Sequence, residues 1–344
     1  MDKIDLHTHI LPETFPDYAE KFGYDGFVRL DHHQPCRARM MVGDRFFREI
    51  EDNSWSPLRR LEDCAAHGVT TQVLSTIPVM FSYWAKAADT LEVARFLNDH
   101  IAEIVREHPG RFEGLATVPM QDPELACREL ERCVRDLGLR GMQIGTHING
   151  WNLHEPVLFP VFEVAAKIGA AIFVHPWDMM GAHDMPKYWL PWLVGMPAET
   201  SRAICSVIFG GVLERLPDLR IAFAHGGGSF PATIGRIEHG FIVRPDLCAV
   251  DNPHNPRKYL RQRNGTPARF FVDSLVHDAK MMHMLLDLFG EQRICLGTDY
   301  PFPLGELEPG KLVETMDELS DEVKRAILAG AAREFLGIGS TDTR

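Results

Sequence analysis

Four separate segments of this chain lead into side chains that bind metals or carry protons. "KIDLHTHILP" presents His7 and His9 on either side of one threonine. "AIFVHPWD" runs into His175, "RIAFAHGGGSF" into His225 and "ICLGTDYPFP" into Asp299. Residues two apart along a strand point the same way. His7 and His9 are therefore a pair able to chelate one ion, at roughly 2.0–2.1 Å per zinc–nitrogen bond. A His-x-His pair alone is as readily structural as functional, and a lone strand-end histidine is often a hydrogen-bonded core residue. The set carries more weight, because each of the other three segments places its polar residue at the end of an apolar run. Three imidazoles and a carboxylate suit a catalytic zinc site with one position left for water: His7, His9 and His175 as nitrogen ligands, Asp299 as oxygen ligand. His225 is then a fifth group beside the metal. A histidine there is a natural general base, since the ion lowers the pKa of water to about 7, within reach of imidazole. Gly226, Gly227 and Gly228 let the backbone turn sharply next to it. "GMQIGT" carries no lysine of the kind that bridges two metals, which argues for one ion per subunit.

Elements must bring these residues together. Apolar runs at 3–8, 71–77, 112–118, 141–146, 171–175, 220–225, 270–275 and 294–299 read as eight strands. Most are continuous, as expected for strands buried on both faces of a parallel sheet. Helical segments alternate with them. "SPLRRLEDCAAHG" offers Ser56 as cap, Pro57 at the first helical position and Gly68 at the exit. "DTLEVARFLNDHIAEIVREHP" sets Leu91, Ala94, Leu97, Ile101 and Ile104 on one stripe. The alternation predicts an α/β fold, a (β/α)8 barrel in a single domain over 1–344, with an open doubly wound sheet as the rival. In a barrel, the C-terminal ends of the strands form the catalytic face. Residues 11–55 are too long for a simple connection and read as a small inserted subdomain over the barrel mouth. A second long stretch, 244–269, is rich in Pro, Asn and Arg and reads as irregular.

Composition excludes several classes. The chain has 344 residues, 45% apolar and 24% charged, enough for a large core and against wholesale disorder. Its formal charge is −12 with no basic run, which disfavours nucleic acid and anionic membrane as partners. No apolar run approaches the length of a membrane span. Seven cysteines, odd in number and without a C-x-x-C pair, fit scattered thiols in a reducing, cytoplasmic compartment. The first residues lack the pattern of a secretory leader. His32 and His33 read as loop residues, and the paired methionines as core filler.

The segments "IDLHTHILP", "STIPVMFSYWAK", "HPWDMM", "WLPWLVGMPAET", "FAHGGGSFP" and "GTDYPFPLGELEPGKL" resemble the decarboxylase branch of the amidohydrolase superfamily from about residue 3 to 337. "HPWDM" and "GTDYPFPLGE" are the specific part. The resemblance implies the same zinc ligands, with His225 as catalytic histidine. It implies a substrate with two carboxylates on a conjugated enamine-aldehyde, from tryptophan and kynurenine catabolism. Arg48 in "FFREI" would hold one carboxylate. Arg236 in "IGRIEHG" would be supplied across a homodimer interface. Trp192 and Phe302 would be pocket aromatics. A guanidinium grips a carboxylate with two parallel hydrogen bonds, so local arginines suit an acidic protein that binds a dianion. A further basic contact from the insertion stays open between Arg37 and Arg39. The implied reaction is decarboxylation in which water adds to the substrate double bond and is recovered. Rival readings are a decarboxylase of hydroxylated benzoates, an amide or lactone hydrolase, and a catalytically silent zinc-binding barrel.

Overall fold

A computed structural model describes residues 1–339. Its thirteen strands are β1 (Ile4–Ile10), β2 (Val28–Gln34), β3 (Arg37–Val42), β4 (Arg45–Glu51), β5 (Thr71–Thr76), β6 (Phe112–Ala116), β7 (Gly141–Gly145), β8 (His147–Ile148), β9 (Trp151–Asn152), β10 (Ala171–His175), β11 (Arg220–Phe223), β12 (Phe271–Asp273) and β13 (Ile294–Cys295). Eight of them form one parallel sheet in the order β1-β5-β6-β7-β10-β11-β12-β13. The sheet closes on itself, because Leu6 N–H donates to the Leu296 carbonyl (2.8 Å) and His9 N–H to that of Tyr300 (2.8 Å). The fold is therefore the expected (β/α)8 barrel, and the open sheet is excluded.

Two phases of strand side chains build two cores. Ile4, Leu6, Val73, Leu115, Phe173 and Ala222 cluster with Ala332, Phe335 and Leu336 of the last helix. Leu74, Ile172, Val174 and Ile221 pack outward against Ile101, Leu130 and Phe162 of the surrounding helices. Each such buried aliphatic or aromatic side chain contributes about 1.5–3 kcal/mol. The helix Pro57–His67 begins and ends as its sequence dictates: Ser56 Oγ accepts from Arg59 N–H, and Gly68 takes φ +70° at the exit.

The ends of the strands depart from expectation. β1 runs two residues further, so His9 lies within it, and a bulge shifts its register between Asp5 and Thr8. β11 and β13 stop early, leaving His225 and Asp299 beyond them rather than closing them. Both residues hold positive φ, +57° and +59°. A strand does not admit that left-handed backbone, which costs a non-glycine residue about 1–2 kcal/mol.

Residues 28–51 form an antiparallel three-stranded sheet, β2-β3-β4. Ala38, Met40 and Ile50 from it pack with Trp55, Leu97 and Phe302, seating the sheet on the barrel. Between 244 and 269 there are two short helical turns, Pro245–Cys248 and Pro256–Tyr259, in otherwise irregular chain.

Candidate metal centre and active site

The barrel brings His7, His9, His175 and Asp299 to one point. One ligand atom from each lies within 4.8 Å of all the others, and all four residues are buried. Asp299 Oδ1 stands 3.3 Å from His7 Nε2 and 3.0 Å from His9 Nε2. His175 Nε2 is buried and has no hydrogen-bond partner. The δ nitrogens, by contrast, are all engaged. His7 Nδ1 donates to Asp273 Oδ2 (2.7 Å), His9 Nδ1 to the Thr76 carbonyl (3.1 Å) and His175 Nδ1 to the Pro176 carbonyl (2.7 Å). Acceptors at every Nδ1 put the proton there and turn every Nε2 lone pair inward. An orphaned buried nitrogen within such a group fits a divalent ion.

The electrostatics agree. Burial, reinforced by the neighbouring histidines His7 and His9, holds the His175 imidazole well below its ordinary range. Burial lowers His9 too. Burial alone would raise Asp299, but His7 and hydrogen bonds from the surrounding imidazoles keep it well below the carboxylate range. Burial also opposes charge on His7, yet Asp299 and Asp273 outweigh it and push that group up to about 10. The carboxylates thus draw positive charge to this point, which a proton meets in the bare chain and a divalent ion meets better.

His225 completes the centre. Its Nε2 lies 3.7 Å from Asp299 Oδ2, and its ring is 5.0 Å from that of His175. The turn behind it requires glycine. A Cβ on Gly228 would sit 2.3 Å from the Pro197 carbonyl oxygen, and one on Gly226 2.4 Å from Val276 Cγ1.

A cavity of roughly 580 Å³ opens over the quartet, walled by Arg48, Trp84, Trp177, Trp192 and Phe302 among others. Arg48 sits on β4 with its guanidinium 4.4 Å from the centre of the Phe302 ring, a cation–π stack that holds it toward the metal centre. Phe302 is buried and its ring centre lies 5.6 Å from that of His9. Trp192, half-buried, also lines the cavity. Arg236 is not brought to the site: it is exposed on the helix Phe230–Val243 and lies off the cavity of its own chain. Neither Arg37 nor Arg39 lines the cavity. Arg37 pairs with Glu49 and Glu51, and Arg39 lies 3.9 Å from Asp31. The insertion instead offers Arg45, which lines the cavity and has no carboxylate within 4.0 Å among the described residues.

Several supporting residues had no claim in the sequence. Glu199 is fully buried and accepts from the N–H groups of Trp177 (2.9 Å) and Met180 (3.1 Å), pinning the wall that follows His175. Asp273 closes strand β12 within "FFVDS", the same strand-end position that singled out the histidines. Arg60, fully buried, donates to the carbonyls of His9 (2.8 Å) and Asn53 (3.0 Å), to Thr8 Oγ1 (3.0 Å) and to Gln72 Oε1 (3.1 Å). It ties the strand bearing His7 and His9 to the exit of the inserted sheet. Arg60→Met leaves the buried His9 carbonyl and Gln72 Oε1 without this donor, each at a cost of about 1–3 kcal/mol. We expect thermal unfolding to show a loss of about 3–5 kcal/mol in all; a variant melting like the parent would mean the clamp contributes nothing.

Residues 4–338 match the amidohydrolase family. The chain belongs to that family. A 2-amino-3-carboxymuconate-6-semialdehyde decarboxylase of Dictyostelium discoideum is 58% identical over 336 residues, spanning 98% of this chain and 92% of that one. Its namesake in Caenorhabditis elegans is 39% identical over 386 residues, spanning 98% and 94%. The solved 5-carboxyvanillate decarboxylase of Novosphingobium aromaticivorans, complexed with manganese and 4-hydroxy-3-methoxy-5-nitrobenzoic acid, shares the fold with a TM-score of 0.77 at 20% identity, covering 97% of this chain and 96% of that one. This amidohydrolase is thus a decarboxylase, a carboxy-lyase. Among its described residues no helix is long and apolar enough to cross a membrane.

Proposed function

We propose that the enzyme decarboxylates 2-amino-3-carboxymuconate-6-semialdehyde to 2-aminomuconate-6-semialdehyde without oxidation, in the tryptophan and kynurenine catabolism of the cytoplasm, diverting flux from quinolinate. The observation that carries this reading is that His9, His175, Asp299 and Arg48 line one cavity, with His225 packed beside the quartet, in a chain so similar to two decarboxylases named for that substrate. His7, His9, His175 and Asp299 would hold one zinc ion per subunit. When bound, such an ion supplies Lewis acidity and makes a neighbouring water acidic near pH 7.

The chain's own residues do the rest. Arg48 holds one substrate carboxylate through two parallel hydrogen bonds, which fixes orientation as well as charge. Phe302 and Trp192 wall the conjugated chain and exclude water from it. His225 Nε2 takes a proton from the attacking water and returns it to the substrate carbon that bears the departing carboxylate. The hydroxide adds to the adjacent carbon, which bears the amino group. Breaking the C–CO2 bond then restores the double bond and expels the hydroxide, which takes up a proton from solvent to regenerate water. Arg236 would reach the second carboxylate from the partner in a homodimer, which accounts for its position away from its own cavity.

The test is to mix the purified protein with the semialdehyde and follow loss of its near-ultraviolet absorbance, release of CO2 and metal content on one sample. Absorbance loss with stoichiometric CO2 is expected; no turnover of that compound by metal-loaded protein would end the reading. Arg48→Gln should lower kcat/KM by roughly 10- to 100-fold, the worth of a charged hydrogen-bonded pair. Steady-state kinetics check this, and a parental kcat/KM would remove Arg48 from the site.

A further inference from the structure

Asp273 is the most heavily used carboxylate of the centre. It is fully buried. Its Oδ2 accepts from His7 Nδ1 (2.7 Å) and from the backbone N–H of His225 (2.9 Å). Its Oδ1 accepts from the N–H groups of Gly226 (2.7 Å) and Leu275 (3.2 Å). These four bonds use the whole accepting capacity of an ionised carboxylate. Two of its partners belong to different halves of the proposed chemistry: a metal ligand, and the turn that carries the base.

We propose that Asp273 is a positioning residue that couples the metal ligand His7 to the base His225. On one side it fixes the His7 tautomer, so that Nε2 keeps its lone pair for the ion. On the other it holds the 225–226 turn, where His225 has φ +57° and Gly226 φ +60°. A histidine leaves that backbone conformation readily unless neighbours over-determine it. With the turn held, His225 Nε2 faces Asp299 Oδ2 at 3.7 Å. Asp273 touches neither substrate nor ion and acts only through these two residues.

Asparagine impairs both duties in either orientation. With its NH2 toward His7 and the His225 N–H, donor meets donor, and His7 must move its proton to Nε2, where the metal belongs. Flipped, it offers His7 only a neutral amide oxygen in place of a carboxylate, and its NH2 meets the N–H groups of Gly226 and Leu275, so the turn loses its anchor. Neither orientation satisfies all four partners.

The inference rests on the ligand and base roles proposed above, so the experiment carries His9→Ala and His225→Ala beside Asp273→Asn, all in the full-length protein with zinc as the probe. Zinc affinity is measured by chelator competition, turnover and its pH profile at saturating zinc. Asp273→Asn should weaken zinc about 10- to 100-fold. It should also keep a turnover deficit of about tenfold or more that excess zinc does not repair, with a displaced pH profile, as expected for a misplaced base. Parental zinc affinity, or turnover fully restored by zinc, overturns the coupling. If Asp273→Asn does not fold, Asp273→Glu keeps the charge on an arm too long to meet all four partners. The same paired deficits are expected there, and parental values in either measurement overturn the proposal. Retained zinc in His9→Ala, or retained turnover in His225→Ala, overturns the roles beneath the inference and the inference with them.

Discussion

His225→Ala should cut kcat about a thousandfold while leaving one metal ion bound per chain. The size follows from what a positioned acid–base group contributes, about 10²- to 10⁴-fold. Retention of metal follows from geometry: His225 Nε2 approaches only the outer oxygen of Asp299, at 3.7 Å, and lies outside the ligand quartet. The loss should fall on kcat with little change in KM, because the proposed base acts on the proton being moved and the proposed carboxylate contact of Arg48 is untouched. Metal analysis with steady-state kinetics separates the outcomes. A variant with full kcat would remove His225 from the chemistry, and one that lost its metal would move it into the ligand set.

His9→Ala should abolish metal binding and turnover together. Removing one of four inward-facing ligands leaves three and opens the buried centre, so activity should fall by at least about 10³-fold even with zinc in excess. The parent stripped by a chelator should behave likewise and recover on adding zinc. It should also melt earlier when stripped, because an ion present at about 1,000 times its Kd stabilises the fold by about 4.1 kcal/mol. Elemental analysis and calorimetry on the same samples check both halves. Full turnover from a stripped preparation would refute metal-assisted decarboxylation.

Much of this was legible in the residues. Eight apolar runs interleaved with helices predict the barrel because burial on both faces writes itself as uninterrupted hydrophobicity. Ser56, Pro57 and Gly68 mark a helix because orphaned backbone groups need caps. The quartet was visible because each member lies in or just beyond a strand, and the topology gathers strand ends. The support was not. Asp273 lies 266 positions from His7, and no local pattern reports a hydrogen bond across that distance. Arg60 looks like one more charge on an amphipathic helix, because periodicity records which face is apolar and not which long side chain tunnels inward. The early ends of β11 and β13 escaped notice because the positive φ of His225 and Asp299 is imposed by their surroundings rather than by their own preferences. For Arg45, sequence offers several basic residues in the insertion, and only the register of β3 and β4 decides which one faces the cavity.

The Arg60 clamp bears on how this scaffold can be re-engineered. The three-stranded sheet lines one part of the cavity with Val42, Arg45, Phe46, Phe47 and Arg48, while the barrel supplies the quartet. Exchanging residues 28–53 for a foreign hairpin would alter what lines the cavity and leave the quartet in place, provided the grafted chain re-enters the barrel with a carbonyl where Asn53 now offers one. That one joint is the boundary condition on any chimera, and a graft that misses it forfeits the grip on the strand bearing His7 and His9.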